Sequence, residues 1–523
     1  MTISTLTSLN ILPPDILKLL SLLLLSTPLS IPIPHLTKHP TILHIYSILI
    51  SFGFLIGVFN LRFGTIQLLI ASITTYLTCH FLIALPSIKN KTFKPNSSTP
   101  WWIFAGLLAH LTINHSKRIF LNVSYDTVEI TGAQMVLVMK LSTFAWNVYD
   151  GHRPIEDLDE YQKSTAIRKM PGLLEFIAYC FFFPSLLVGP AIPFAHYKAF
   201  ADRKLWGSNA NVPKGRLNHA LKSLAIGFAF AGLVGTYGSK WSYDRMLEDS
   251  FLEKNWLQRL LHVQLSGFMS RGKYYLVWSL SQAAFTTSGC GYDPITKSWL
   301  AGQNIDILAI ELAQNYKAVF DHWNMKTNLW LRECVYKRVP LKKEGDKPGF
   351  KATLATFIAS AAWHGPLPAY FLVFISGAFV QALGRSFRRS IRPFFINTSL
   401  KPVYDIIGLL AVQTNLNYIV IPFLLLDVRN SIEAWNRLGW YGHLATGLPI
   451  ILLWAGGEKA SRAKISKSST NTTTTTHQQP KAEMKTIATA TTVVIGKKGN
   501  AVVETTSFGE VEEVLMQLKA KKE

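Results

Sequence analysis

The run ATLATFIASAAWHGPLPAYFLVFISGAFVQA, residues 352–382, contains no aspartate, glutamate, lysine or arginine, yet it holds one histidine, His364, near its middle. A spanning helix needs roughly 20 mostly apolar residues, so a run of this character belongs in a membrane. A histidine at that depth is costly, and by default it marks a functional site. The blander reading makes it packing glue, a ring hydrogen-bonded between helices. Gly365, Pro366 and Pro368 favour function, because they break the helix beside the ring and open backbone and space for a ligand. An imidazole whose ordinary pKa is roughly 6.5 suits general-base work.

Upstream stands Asp321-His322-Trp323-Asn324-Met325-Lys326-Thr327-Asn328-Leu329-Trp330-Leu331, amides interleaved with tryptophans between two hydrophobic regions. Read as one helix, it places Trp323, Thr327, Trp330 and Leu331 on one face, with Asn324 and Asn328 on an adjoining stripe. An interfacial helix with aromatic anchors has the same pattern. A carboxamide, however, both donates and accepts without adding charge, and in a dry pocket it can support a developing oxyanion.

Working outward, 523 residues at 49% hydrophobic and 16% charged are too apolar for an ordinary soluble chain. Apolar segments recur at Ile42–Phe59, Thr65–Leu85, Trp101–Ile113, Ala133–Val148, Leu173–Phe194, Leu221–Tyr237, Tyr274–Phe285, Val403–Leu426 and Leu444–Trp454. Several are cut by Gly and Pro, as at Pro184, Gly189 and Pro190. The expectation is an all-α polytopic membrane protein with roughly ten or more spans, some broken or re-entrant. The first apolar run, Ile16–Leu25, lacks the basic flank of a cleaved signal and reads as a retained helix.

The formal charge of +22 comes from clusters between the spans, such as Lys198 to Arg216, Lys337 to Lys351 and Arg385 to Arg392. Basic loops favour the cytosolic side and attract anionic headgroups. They form no nucleic-acid-binding module. Cys79, Cys180, Cys290 and Cys334 are too scattered for a disulfide framework or a zinc site. No histidine pair has metal-ligand spacing, and no nucleophile elbow or phosphate-binding glycine loop is present.

Residues 1–456 read as the membrane-embedded domain and 457–523 as a low-complexity cytosolic tail without regular structure, Thr-rich from Thr470 to Thr476. Within the tail, Phe508–Lys519 has the spacing of a short amphipathic helix. Lys519 and Lys521 resemble a dilysine retrieval signal, an address for the endoplasmic-reticulum membrane with a cytosolic C-terminus.

The blocks then fall into a known order. They are Ile130 to Val136 with Lys140 and Phe144 to Gly151, Phe183-Pro184-Ser185 with Val188-Gly189-Pro190, and Gly289-Cys290-Gly291-Tyr292. After these come Trp323-Asn324 with Thr327-Asn328 and Trp330-Leu331, Val335-Tyr336 with Arg338, and Ser360 to Gly365. In this order the chain resembles the membrane-bound O-acyltransferase (MBOAT) family, and within it the broad-specificity fungal lysophospholipid acyltransferases. The resemblance spans roughly residues 40 to 455 and implies a helical bundle around a buried acyl tunnel. It implies transfer of a fatty acyl group from acyl-CoA, a co-substrate, to a lysophospholipid hydroxyl, with no metal and no bound cofactor. His364 matches the family's base and Asn324 its second catalytic position, with Trp323, Thr327, Asn328, Trp330 and Trp363 as substrate-binding neighbours. The partners implied are acyl-CoA, lysophospholipid and the lipid bilayer, with no nucleic acid and with the oligomeric state open. Acylation of a sterol or diacylglycerol is the alternative within the class. A lipid carrier or scramblase is the alternative outside it, although no repeat symmetry of the kind carriers show is present.

Overall fold

A computed structural model of the chain describes residues 13–89, 94–124, 126–339, 349–457, 460–461, 490–495 and 501–506. The membrane body is helical throughout its described regular structure. It begins with α1 (Pro14–Leu29), α2 (Pro40–Phe52) and α3 (Arg62–Cys79), the last two extended by π-helical turns at Gly53–Val58 and His80–Ala84. Then follow α4 (Ser98–Phe120), α5 (Ile130–Gly151), α6 (Leu173–Cys180), α7 (Arg216–Tyr237) and α8 (Trp256–Thr287). Two short helices, α9 (Tyr316–His322) and α10 (Met325–Leu331), lead into α11 (Phe350–His364), α12 (Pro368–Ser390) and α13 (Lys401–Ile419). The body closes with α14 (Val428–Arg437) and α15 (Tyr441–Leu452).

Among the described residues, five helical stretches are long and apolar enough to cross a membrane: Pro40–Val58, Arg62–Ile88, Arg216–Tyr237, Pro368–Phe394 and Lys401–Leu425. A sixth is available if Val428–Arg437 and Tyr441–Gly457, bent by 86°, form one broken span. Their outer faces carry exposed Ile66, Ile70, Leu221, Phe228, Ile406, Ile407 and Leu410, the surface that hydrocarbon covers. This is a multi-pass membrane protein. The count by length and apolarity is below the roughly ten spans read from hydropathy, and the reason is visible in α5 and α8. Helix α5 is buried along nearly its whole length and carries Lys140 and Asp150 inside the protein. Helix α8 is far longer than the apolar run Tyr274–Phe285, starting at a reciprocal Asn255–Gln258 cap.

The polar half of α8 is matched from other elements. Arg271 makes a two-pronged ion pair with Glu311 (2.8 and 2.6 Å) and donates to Asn417 Oδ1 (2.5 Å), while Tyr275 donates to Glu311 (2.6 Å). The segment Leu173–Phe194, expected to be cut at its prolines and Gly189, is helical only through Cys180 and then breaks. The fully buried Lys140 reaches that break, donating to the Tyr179 carbonyl (3.1 Å), the Cys180 carbonyl (3.4 Å) and Ser185 Oγ (2.9 Å). A cation at a helix C-terminus meets the negative end of the dipole and the orphan carbonyls together. The broken helix is therefore satisfied by protein, as its depth demands.

A second buried pair ties α5 to the chain beyond α10. Arg338 donates to both Asp150 oxygens (2.8 and 2.6 Å), with its guanidinium 4.3 Å from the Trp146 ring centre. Asp150 is fully buried and, among the described residues, otherwise keeps only a 3.5 Å side-chain contact to Arg153. Arg338→Met is expected to cost about 3 kcal/mol or more, because it strands a buried carboxylate. Thermal unfolding of the detergent-solubilised protein checks this, and an unchanged midpoint counts against the pair.

Residues 463–523 form a separate unit. Within it β1 (Ala490–Ile495) pairs antiparallel with β2 (Ala501–Thr506), Ala490 opposite Thr506 and Ile495 opposite Ala501. The tail was read from sequence as lacking regular structure; the β-branched runs Thr491 to Ile495 and Val502-Val503 are what a paired strand favours. The helix expected over Phe508–Lys519 and the Thr run lie outside the described residues.

Candidate active site

Asn324 sits at a break. Helix α9 ends at His322, Trp323 is extended (φ −94°, ψ 126°), and Asn324 is left-handed (φ 44°, ψ 56°) before α10 begins. The single continuous helix read from the spacing is therefore corrected to two helices with Trp323-Asn324 between them. Asparagine is one of the few side chains that tolerate this conformation. One loop clamps both sides of the break: the Met325 amide donates to the Asn304 carbonyl (2.8 Å) and the Asp306 amide to the His322 carbonyl (3.1 Å). Trp323 packs edge-on to Tyr274 (5.4 Å), Trp278 (5.3 Å) and Tyr275 (6.1 Å) of α8. The break turns the Asn324 side chain out of the helical stripe and into the wall of a cavity of about 880 Å³. Its carboxamide makes no hydrogen bond among the described residues.

His364 also sits at a break. It is the last residue of α11, which Gly365 ends at φ 131°, a conformation L side chains rarely adopt. The Gly365 amide closes the helix on the Ala361 and Ala362 carbonyls (3.1 and 3.2 Å), and Pro368 opens α12. The imidazole stacks on Phe374 (5.1 Å between centroids, 22°) and meets Phe423 (5.0 Å), Trp363 (4.7 Å) and Tyr370 (5.7 Å). Neither ring nitrogen has a hydrogen-bond partner among the described residues. An aromatic cage thus fixes the ring plane and leaves a nitrogen lone pair available to the same cavity that Asn324 lines.

Trp323, Thr327, Asn328 and Trp363 line this cavity too, and Trp330 does not. Thr327 donates to Met139 Sδ (3.2 Å), Asn328 to the Phe320 carbonyl (2.7 Å) and Trp363 Nε1 to the Met135 carbonyl (2.9 Å), so their polar atoms are engaged with protein. Trp330 is buried behind the wall, donating to Ser142 Oγ (2.8 Å) and packing on Trp363 (5.8 Å). Its position is that of a support for Trp363. The face shared by Trp323 and Trp330 in a continuous helix disappears once the helix breaks at Asn324.

Sequence reading missed much of the wall. Tyr274 and Trp278 come from α8, Phe374 from α12 and Phe423 from beyond α13. The four-residue spacing of Tyr274 and Trp278 was the only signal. Arg118, Arg271, Arg332 and Arg385 also line the chamber, the first three ion-paired with Glu129, Glu311 and Glu333. An imidazole and a carboxamide thus line one cavity whose wall is largely aromatic and aliphatic.

Apolar membrane-crossing helices and a cavity lined by His364 and Asn324 define a multi-pass membrane protein with a candidate site inside its helical body. The chain matches the membrane-bound O-acyltransferase family over residues 118–421. A "Lysophospholipid acyltransferase" of Schizosaccharomyces pombe (strain 972 / ATCC 24843) is 38% identical over 447 residues, covering 82% of this chain and 84% of its own length. One of the same name from Saccharomyces cerevisiae (strain ATCC 204508 / S288c) is 36% identical over 441 residues, covering 78% and 68%. "Membrane-bound glycerophospholipid O-acyltransferase 1" of Homo sapiens is 28% identical over 397 residues, covering 72% and 77%. The chain belongs to the membrane-bound O-acyltransferase family and is an acyltransferase.

Proposed function

We propose that this enzyme moves a fatty acyl group from acyl-CoA to the free hydroxyl of a lysophospholipid. The observation that carries the proposal is the convergence of Asn324 and His364, each at a helix break and each unengaged, on one chamber. The names of the two fungal relatives support the acceptor class.

In the proposed reaction the neutral His364 ring takes the proton of the acceptor hydroxyl as its oxygen attacks the thioester carbonyl. The carbonyl oxygen becomes an oxyanion, and an N–H of the Asn324 carboxamide donates to it. Collapse of the tetrahedral intermediate breaks the C–S bond, and the departing CoA thiolate takes the proton back from His364. Enclosure matters because a thioester open to water is lost to hydrolysis. The aliphatic and aromatic wall suits the acyl chain. Arg332 and Arg385 are the groups we assign to the anionic part of acyl-CoA, guanidinium forks being well matched to phosphate. The finer placement, an endoplasmic-reticulum membrane with residues 457–523 cytosolic, belongs to the same proposal, with the basic loops supporting only its sidedness; cell fractionation and protease protection of intact vesicles test it.

The reading is tested by supplying membranes with labelled oleoyl-CoA and a panel of lysophospholipids, beside a sterol and a diacylglycerol. Label is expected in phospholipid, and the panel names the preferred headgroup. Label only in sterol ester or triacylglycerol overturns the acceptor class, and no acyl-CoA-dependent label anywhere overturns the reading.

A further inference from the structure

Helix α5 can be read as a ruler along the chamber. From its second half towards its start, Ser142 Oγ accepts from Trp330 Nε1 (2.8 Å), Met139 Sδ from the Thr327 hydroxyl (3.2 Å) and the Met135 carbonyl from Trp363 Nε1 (2.9 Å). Thr143 Oγ1 also meets Cys334 Sγ at 3.6 Å, so Arg332, between Trp330 and Cys334, lies at the level of Ser142. Thr327 is one turn from Asn324, and Trp363 adjoins His364. The two proposed reacting groups therefore fall at the level of Met139 to Met135. Gly132 comes next, on the far side of them from Arg332 and about 15 Å along the axis from Ser142.

Gly132 alone among the residues of α5 is exposed, although Thr131 and Ala133 on either side are buried, and it lines the chamber. Neither common reason for a helical glycine applies to it. Its φ is not positive, and a Cβ there would meet nothing closer than the Leu187 carbonyl at 3.9 Å. At Gly64, by contrast, a Cβ would run into Ile130 at 2.8 Å. Glycine is a poorer helix former than alanine, and at Gly132 no protein contact offsets that. The room it leaves belongs to the chamber.

The wall at this end is mainly aliphatic: Ile16 and Leu19 of α1, Leu55, Phe59 and Leu61 around the end of α2, and Leu187. The Val128 amide donates to Asp15 Oδ2 (3.1 Å), which ties the start of α1 to the start of α5, and the close approach of Gly64 to Ile130 brings the chain after Leu61 beside it. The charged groups here, Arg118 and Glu129, are paired with each other (3.1 Å).

We propose that Gly132 sets the chain-length selectivity of the acyl donor. With the anionic part of acyl-CoA at Arg332 and Arg385 and the thioester at His364 and Asn324, the fatty chain leaves the reaction centre on the opposite side, along the start of α5. A chain that ends before Gly132 is indifferent to what stands there, while a longer one has to pass it. The inference rests on acyl-CoA being the donor in that orientation and deepens the proposed function.

The test measures kcat/KM in membranes, at matched protein level, for octanoyl-, lauroyl-, palmitoyl- and oleoyl-CoA with wild type, Gly132→Ala and Gly132→Leu. The acceptor is whichever one the wild type uses, so a failure of the lysophospholipid reading shows up in the wild type alone. A second series holds oleoyl-CoA fixed and varies the chain of the acceptor. For Gly132→Leu, kcat/KM for palmitoyl- and oleoyl-CoA is expected to fall about tenfold or more relative to octanoyl-CoA, since one methylene of misfit in an apolar pocket discriminates by about 10- to 200-fold. Gly132→Ala is expected to move the same ratio in the same direction by less, with a thermal unfolding midpoint at or above that of wild type. The acceptor series is expected to keep its wild-type ratios. An unchanged donor ratio in Gly132→Leu overturns the proposal, and so does an equal loss for every donor, which a packing role predicts. A shift confined to the acceptor series also overturns it and gives this end of the chamber to the acceptor's own chain. If Gly132→Leu does not accumulate, the donor ratio of Gly132→Ala decides, and no change there overturns the proposal.

Discussion

His364→Ala is expected to abolish transfer: labelled phospholipid formed from oleoyl-CoA should fall to near background while the protein remains in the membrane at its wild-type level. General bases contribute about 10²–10⁴ in rate. The substitution should leave the fold in place. The His364 ring is held by van der Waals contact with Phe374 and Phe423, and no hydrogen bond is lost with it. Binding of acyl-CoA should also persist, so the variant is expected to protect the thioester and not to hydrolyse it. Transfer that survives at more than about a tenth of the wild-type rate, well short of the 10²-fold minimum, would remove His364 from its role.

Asn324→Ala is the second large effect. An amide donor aimed at a developing oxyanion is worth about 10²–10³ in kcat, and since it acts in the transition state, KM should change little. Asn324→Asp sharpens the test. Aspartate tolerates the left-handed backbone much as asparagine does, so the break at φ 44° survives, but a carboxylate has no N–H and adds negative charge beside the oxyanion. Aspartate is therefore expected to be slower than alanine. If aspartate instead retains activity, the side chain acts as an acceptor that orients the hydroxyl, and the oxyanion assignment fails. Single-turnover measurement of labelled product separates these outcomes from slow product release.

What the amino-acid pattern revealed and what it concealed follow one physical division. The break after His364 was legible because Gly365, Pro366 and Pro368 cannot continue a helix whatever surrounds them. The break at Asn324 was not, since nothing local forbids a helix there. It is imposed from a distance by the Asn304 carbonyl and the Asp306 amide, and it takes Trp330 off the face that a continuous helix would share with Trp323. The extent of α8 was hidden for a similar reason. Arg271 looks like the end of an apolar segment until Glu311, 40 residues on, is seen to neutralise it. Lys140, in the middle of an otherwise apolar stretch, makes sense only against the carbonyls of Tyr179 and Cys180. Hydropathy thus locates the helices, while the polar contacts that decide which of them face lipid are long-range.

The two side chains proposed to react hang from chain breaks, while much of the chamber wall comes from the faces of other helices: Tyr274 and Trp278 on α8, Val373 and Gly377 on α12. Chemistry and cargo are thereby housed in different parts of the molecule. At Gly377 even one added methyl group would meet Phe357 at 2.8 Å, so single substitutions there can resize the compartment without moving either reacting group. A lineage built on this plan can exchange one acyl chain or acceptor for another by small steps in its walls, each intermediate still carrying a complete reaction centre. Such separation lets an enzyme follow changes in the lipids of its host without reinventing its catalysis.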